Sequence, residues 1–208
     1  MKTEFLKVEI DWNEVKNECR HTVNKEDSDK ETSREFIKKI LISEHSPIRL
    51  PKIKWRWSGI KSWITVHYAR HWLGWEKWVQ TRRTDRTGVD RNSLRQDELL
   101  NMDIEANPQS LINVSGFRLC HQAADETREY MEDLKVSIKE ELNEKELSDV
   151  MVPRCIAKLG CPELQCCGLI HRFLKWCKDN NKESDLMDMV NIQKRYDLYN
   201  EWFYEGRE

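Results

Sequence analysis

The sequence has no apolar run long enough to cross a bilayer, and its start, Met1-Lys2-Thr3-Glu4, lacks the apolar core of a signal peptide. A cytoplasmic protein with no membrane partner is therefore expected. It also lacks an excess of positive charge, since 35 Lys and Arg stand against 37 Asp and Glu for a net charge of −2. A general nucleic-acid binder needs basicity to hold the phosphate backbone, so nucleic acid is not an expected partner. The G-x-G-x-x-G fingerprint, the Walker A loop, the H-E-x-x-H zinc helix and the G-x-S-x-G elbow are all missing, which removes the common dinucleotide, NTPase, zinc-protease and hydrolase signatures. There is no internal repeat and no low-complexity segment. Paired C-x-x-C spacing is missing as well: Cys155, Cys161, Cys166 and Cys167 are spaced unlike ordinary zinc modules. The seven cysteines are an odd number and read first as buried thiols, second as metal ligands and last as disulfides. No metal is expected.

What is present is one concentrated stretch in a chain of 208 residues. Trp55 to Arg95 gathers most of the tryptophans with a run of arginines, Ser/Thr hydroxyls and glycines. A phosphate-bearing, flat-ringed ligand requires these groups, because guanidinium forks bind anionic oxygens and aromatic faces stack. With 35% charged residues, most helices should be amphipathic, and the length suits one domain with a helical appendage.

In chain order, alternation over residues 4–10 predicts a strand. Residues 11–23 are a short helix or irregular, 24–30 a solvated loop, and Thr32 or Ser33 caps a helix through Leu41. Pro47 ends helical conformation before it. Residues 48–57 alternate again, so Ile53, Trp55 and Trp57 face the core from a second strand, and Ser58-Gly59 turns the chain. A buried helix over 60–69 delivers Arg70-His71 to its C-terminal end. Gly74 and the polar series Gln80 to Asp97 mark a long loop of functional composition. Asn107-Pro108 starts a helix that is disturbed at Ser115-Gly116 and followed by a longer one over 120–142. Residues 151–168 are a loop rich in Cys, Pro and Gly, and two amphipathic helices follow from Leu169.

Several of these features have plain structural readings. Arg70 needs an anionic or hydrogen-bonding partner, which an intramolecular ion pair would also supply. Trp72, Trp75 and Trp78 recur every three residues, a spacing that fits stacking on a planar ring or one helical face, with core packing expected for most of them. His45 before Ser-Pro reads by itself as structural. His67 and His71, four apart, have no carboxylate pattern beside them to make a metal pair.

Taken together, His45-Ser46-Pro47, the strand ending at Trp57, the helix ending in Arg70-His71, Arg82, and Asn107-x-Gln109-Ser110-Leu111-x-Asn113 before Arg118-Leu119-Cys120 resemble flavin-dependent thymidylate synthase. That family's pattern is H-x-S-P, then R-H-R-x-x-S-x-N-x-x-S-x-R-Y, then N-A-R-x-L-x-N-x-x-x-x-R. The segment from Val152 to Glu163 resembles the tail of many members, and Thr22 falls where they carry a Ser. The resemblance covers roughly residues 15–168. The chain departs from the pattern at Trp72, Trp75, Lys77, Gln80, Arg83 and Gln109, and a short loop joins Arg82 to Asn107 where typical members insert helices and a further arginine. Arg83, Arg86, Arg91 or Arg95 would replace that charge.

The resemblance implies an α/β fold of the α+β type, a small mixed sheet with long helices over residues 1–168, with residues 169–208 as a C-terminal helical extension. It implies a homotetramer holding FAD between subunits and dUMP, or a related pyrimidine nucleotide, near the flavin. NADPH and methylenetetrahydrofolate would be co-substrates in a one-carbon transfer to C5 of dUMP that gives dTMP, with positioning and charge stabilisation as the protein's task. Residue by residue, Arg70, His71, Asn107 and Asn113 would meet FAD, with His45 approaching the flavin from the side. Arg82, Arg83 and Arg118 would meet the nucleotide. Gln80 and Thr81 stand where the family Ser assists dUMP, which with Arg82 and Arg118 makes the expected catalytic group. The other readings are C5 hydroxymethylation, or another one-carbon modification, on the same fold, and a nucleotide-binding protein that has lost catalysis.

Overall fold

A computed structural model describes residues 3–206. The chain begins with β1 (Thr3–Glu9), then α1 (Trp12–His21) and α2 (Arg34–Ile42). Asp11 caps α1 by accepting from the backbone N–H groups of Asn13 and Glu14, and Ser33, not Thr32, caps α2 through Phe36 N. Each such cap contributes about 1 kcal/mol. A short 3-10 turn (Ser46–Arg49) leads into β2 (Lys52–Lys61). The strand starts later than its alternation suggested because Pro47 sits in the 3-10 turn. It also runs through Ser58-Gly59, where the register slips between Trp57 and Ile60 as a bulge instead of turning the chain.

The next helix is therefore α3 (Ser62–Ala69), followed by β3 (Trp75–Val79), a single helical turn α4 (Thr84–Thr87) and β4 (Leu99–Ala106). β3 corrects the helical reading of the tryptophan triplet. In a strand, side chains three apart lie on opposite faces, so Trp75 is fully buried while Trp78 stands out from the sheet with Lys54 Nζ 4.5 Å from its ring centre. Trp72 is exposed in the loop before β3. β4 turns Leu100, Met102, Ile104 and Ala106 inward.

The sheet order is β1-β2-β4-β3. All three pairings are antiparallel, so the α+β class holds but the sheet is not mixed. Arg56 and Asp103 are cross-strand partners and form a two-pronged pair at 2.7 and 2.8 Å. On the inner face Trp55 meets Trp57 and Trp75 edge-on, at 5.7 and 5.4 Å between ring centres. Burying each of these rings contributes up to roughly 5 kcal/mol.

The helices that follow are α5 (Pro108–Arg118), α6 (Asp125–Glu140), α7 (Lys145–Val150), α8 (Arg154–Ala157), α9 (Leu169–Asp179), α10 (Glu183–Leu186) and α11 (Gln193–Glu205). α5 passes through Ser115-Gly116 without interruption. Ser115 Oγ bonds back to Ile112 O, and Gly116 is where Arg154 crosses: a Cβ there would lie 2.8 Å from Arg154 Cγ. The long helix starts at Asp125 instead of residue 120, after a turn over 120–124. Phe173, Cys177, Leu198 and Tyr199 of the C-terminal helices join the same core cluster as Trp55 and Trp57.

Candidate functional site

α5 is the beam along which the site is laid. At its N-terminus Asn107 accepts from Ser110 N at 2.9 Å, closing the cap that Pro108 follows. Ser110 Oγ donates to Leu73 O, which holds the loop before β3 against the helix. Gly74 makes that approach possible. Its φ is +62°, and a Cβ would lie 2.5 Å from Asn107 Nδ2 and 2.6 Å from Ser110 Oγ. A cleft of about 450 Å³ opens here between Leu73, Gly74, Asn107, Ser110 and Asn113 on one side and Glu44 and Arg49 on the other. Gln109 Nε2 donates to Glu44 across it. Substituting Gly74 by Ala should cost about 2–4 kcal/mol, because it adds left-handed backbone strain to a displaced helix cap. Urea unfolding reads this directly, and a loss below about 1 kcal/mol would show that the loop and cap relax apart freely.

At the other end of α5, roughly 16 Å away by helical rise, Arg118 is held at two points. Its Nε donates to His71 Nε2 at 3.0 Å and its Nη2 to His67 O at 2.6 Å, with the Tyr68 ring 6.0 Å beneath. Lys77 Nζ donates to the carbonyl of His71 at 2.7 Å. His71 is therefore an acceptor at Nε2 and must be neutral. Burial, then the charges of Arg118 and Lys77, push its pKa down to about 4. His67 is lowered too, by burial and then by Arg118 and Arg70, and its Nδ1 lies 2.8 Å from Thr127 Oγ1. A second cleft, of about 370 Å³, is lined by His71, Phe117, Arg118, Cys120, Gln122 and Glu163.

The depressed His71 value fixes the direction of a pH dependence. The unfolded chain binds the proton near pH 6.5 and the folded chain only near 4, so stability and the Arg118 geometry are intact above 6.5 and are lost as pH falls towards 4. A ring-nitrogen NMR titration should place the His71 midpoint near 4. A midpoint at or above 6.5 would mean that His71 does not accept from Arg118.

The remaining expected residues fall in different places. Arg70 is the exposed residue that ends α3, beside His71. His45 is exposed just before the 3-10 turn, its Nδ1 3.5 Å from Cys19 Sγ, and its neighbour Glu44 lines the first cleft. Gln80, Thr81, Arg82 and Arg83 lie past the far end of β3, roughly 20 Å from Gly74 by strand rise. There Gln80 pairs with the backbone of Asn101, and Arg82 donates to Ser62 Oγ at 2.6 Å and Arg95 O at 2.8 Å, with its Nε buried and unpartnered. Arg83 is engaged with Asp85 at 3.0 and 2.8 Å. One copy of the chain thus brings Asn107 and Asn113 into one cleft and His71 and Arg118 into another, and keeps the 80–83 group apart. Gly74, Lys77 and Ser110 are parts of the site that residue types and spacing alone did not single out. The left-handed turn and the loop-to-helix contact give Gly74 and Ser110 their role, and the bond to the His71 carbonyl gives Lys77 its own.

No protein-family model and no curated protein matches the sequence. Solved structures do match, and they define the class: the fold is that of flavin-dependent thymidylate synthase. Thymidylate synthase X from Helicobacter pylori, solved with FAD and dUMP, superposes with a TM-score of 0.61 at 10% identity, covering 73% of this chain and 99% of that one. A second structure of that enzyme with FAD and dUMP gives 0.59 at 10% identity, with 72% and 99% covered. A UMP/dUMP methylase from Streptomyces cacaoi, bound with 5-Br dUMP, gives 0.57 at 12% identity, with 74% and 96% covered.

Proposed function

We propose that this chain is a flavin-dependent enzyme that binds dUMP, or a closely related pyrimidine nucleotide, and transfers a one-carbon unit to C5 of its ring. The observation that carries the reading is Arg118, a cation held by a neutral histidine and a backbone carbonyl in an open cleft. Its Nη1 has no partner among the described residues. Among the described residues it forms no ion pair, although Glu163 lines the same cleft, so its charge is available to an anionic oxygen of a ligand.

The first cleft fits a flavin nucleotide. Gly74 keeps the backbone close to the cap of α5, Arg49 supplies positive charge, Asn107, Gln109, Ser110 and Asn113 supply polar contacts, and Leu73 supplies an apolar wall beneath a ring. Asn107 and Asn113 would hold the cofactor, with His45 at its side and Arg70 and His71 towards its phosphates or ring edge. Bound FAD supplies hydride transfer, with NADPH as reductant and methylenetetrahydrofolate as one-carbon donor. The chain's own contribution is positional. Arg118 fixes the nucleotide, and His71, kept neutral by burial, holds Arg118 in place without competing for the anion. Gln80, Thr81, Arg82 and Arg83 reach a nucleotide only if a neighbouring copy presents them, which is the support for a homotetramer with sites between subunits.

The test is the flavin spectrum of the purified protein titrated with dUMP, joined to the mass of the product formed from dUMP, methylenetetrahydrofolate and NADPH. Bound FAD that responds to dUMP, followed by dTMP, is expected. A colourless protein that takes up no FAD with dUMP present would refute the enzyme reading, and a C5 hydroxymethyl product would redirect it to that reaction. Light scattering should give four times the mass of one chain.

A further inference from the structure

The fold brings together five cysteines that the flavin reading does not use. Cys120 lies in the turn after α5, Cys155 in α8, and Cys161, Cys166 and Cys167 in the irregular segment before α9. All five line one small cavity of about 10 Å³, with Gly116, Arg154 and Glu163 beside them. That is room for a single ion or water and not for an organic ligand. Cys155 lies within electrostatic reach of Cys120, Cys161 and Cys167, and Cys161 shares a side-chain hydrogen bond with Cys166. Cys19 lies elsewhere, against His45, and Cys177 lies in the core.

The distances distinguish two uses of such thiols. Cys120 Sγ and Cys167 Sγ are 4.0 Å apart. A disulfide needs about 2.05 Å, whereas two sulfurs on a tetrahedral zinc with Zn–S bonds of about 2.3 Å stand about 3.8 Å apart. The segment itself calls for a clip. Residues 158–168 form no helix or strand, and they are tied to the turn after α5 by Gln122 Nε2 donating to Gln165 O and by the approach of Cys120 and Cys167.

We propose that Cys120, Cys155, Cys161 and Cys167 bind one zinc ion, which ties the 158–168 segment to the C-terminal end of α5. Among the described residues no three histidine, cysteine, aspartate or glutamate side chains are already posed around a common metal position. The ion therefore draws Cys161 and Cys167, on the irregular segment, towards Cys120 and Cys155 as it binds. Four thiols lose their protons to give a tetrathiolate with a net charge of −2, and Arg154 in the same cavity offsets part of it. Cys166, the one exposed thiol of the five, stays outside the set. Cys120 and Glu163 also line the Arg118 cleft, so the clip sets the floor of the nucleotide site without touching the nucleotide.

The site is tested on the full chain purified under reducing conditions, by elemental analysis and by cobalt substitution read as a difference spectrum that cancels any flavin. About one zinc per chain is expected, and cobalt should give the thiolate charge-transfer band and the strong visible bands of a tetrahedral site. Cys155→Ser and Cys167→Ser should lose both signals, whereas Cys19→Ser and Cys166→Ser should keep them. The proposal is overturned by zinc below about a tenth of the chain concentration with no cobalt–thiolate band, by iron with acid-labile sulfide, or by a Cys120–Cys167 disulfide that persists in reductant. Neither signal depends on FAD or dUMP, so this result stands or falls apart from the proposed reaction.

Discussion

Arg118→Ala is expected to weaken dUMP binding by at least about 100-fold, equivalent to about 2.7 kcal/mol, while the protein stays folded. The loss is that large because a charge-assisted contact is removed from a partly desolvated cleft. The fold survives because the partners left behind are modest. His71 Nε2 regains water from the open cleft, and the His67 carbonyl lies on the last turn of α3, where solvent reaches it. Arg118→Lys separates charge from geometry. Lysine keeps the cation but cannot bond His71 and His67 O together, so binding should recover only in part. Calorimetric titration with dUMP measures both variants, and an unchanged affinity in Arg118→Ala would remove this residue from the nucleotide site.

Lys135→Ala should give the largest loss of stability, about 3–5 kcal/mol. Lys135 is fully buried, and its Nζ donates to Ser148 O at 2.5 Å and Asn200 Oδ1 at 2.6 Å. Those acceptors belong to α7 and α11, and Asn200 Nδ2 in turn donates to Asp149 O at 2.9 Å and Tyr196 O at 2.7 Å. Removing the ammonium leaves Asn200 Oδ1 buried without its donor, takes one of two donors from Ser148 O, which keeps Met151 N at 3.0 Å, and opens a void. The consequence reaches the site, because Tyr196 lines a cavity of about 140 Å³ together with Glu44, Asn113 and Phe117. Urea unfolding should show the loss, and limited proteolysis should cut first between α9 and α11. Lys135→Met, which keeps the volume, should recover part of it. A change under about 1 kcal/mol in Lys135→Ala would mean that α11 docks independently of this network.

The elements that the sequence made plain were those whose local signals agree. β1 alternates, Ser33 and Asn107 cap helices, and α9 carries one apolar stripe. β4 alternates as clearly, with Leu100, Met102, Ile104 and Ala106 inward, yet the polar run before it drew the reading towards loop. β3 was hidden for a physical reason. A five-residue strand with tryptophans at its first and fourth positions fits a helical face as well as a sheet, and only pairing with β4 decides between them. Gly59 misled in the opposite direction, since a bulge and a turn both favour a left-handed glycine.

The sequence by itself determined residue chemistry and order: where the arginines and asparagines stand, that Asn107 caps α5, and which family pattern the spacing resembles. Tertiary structure alone decided which of them meet. Arg118 reaches His71 across a gap in sequence because the C-terminal end of α5 is brought to the C-terminal end of α3, and Arg82, though closer in sequence to His71, is carried away along β3 to Ser62. Five cysteines scattered over residues 120–167 share one cavity for the same reason. Local propensity acts over a few residues, whereas convergence at a site depends on the burial of whole faces, here those of the sheet and α5, which no short stretch specifies.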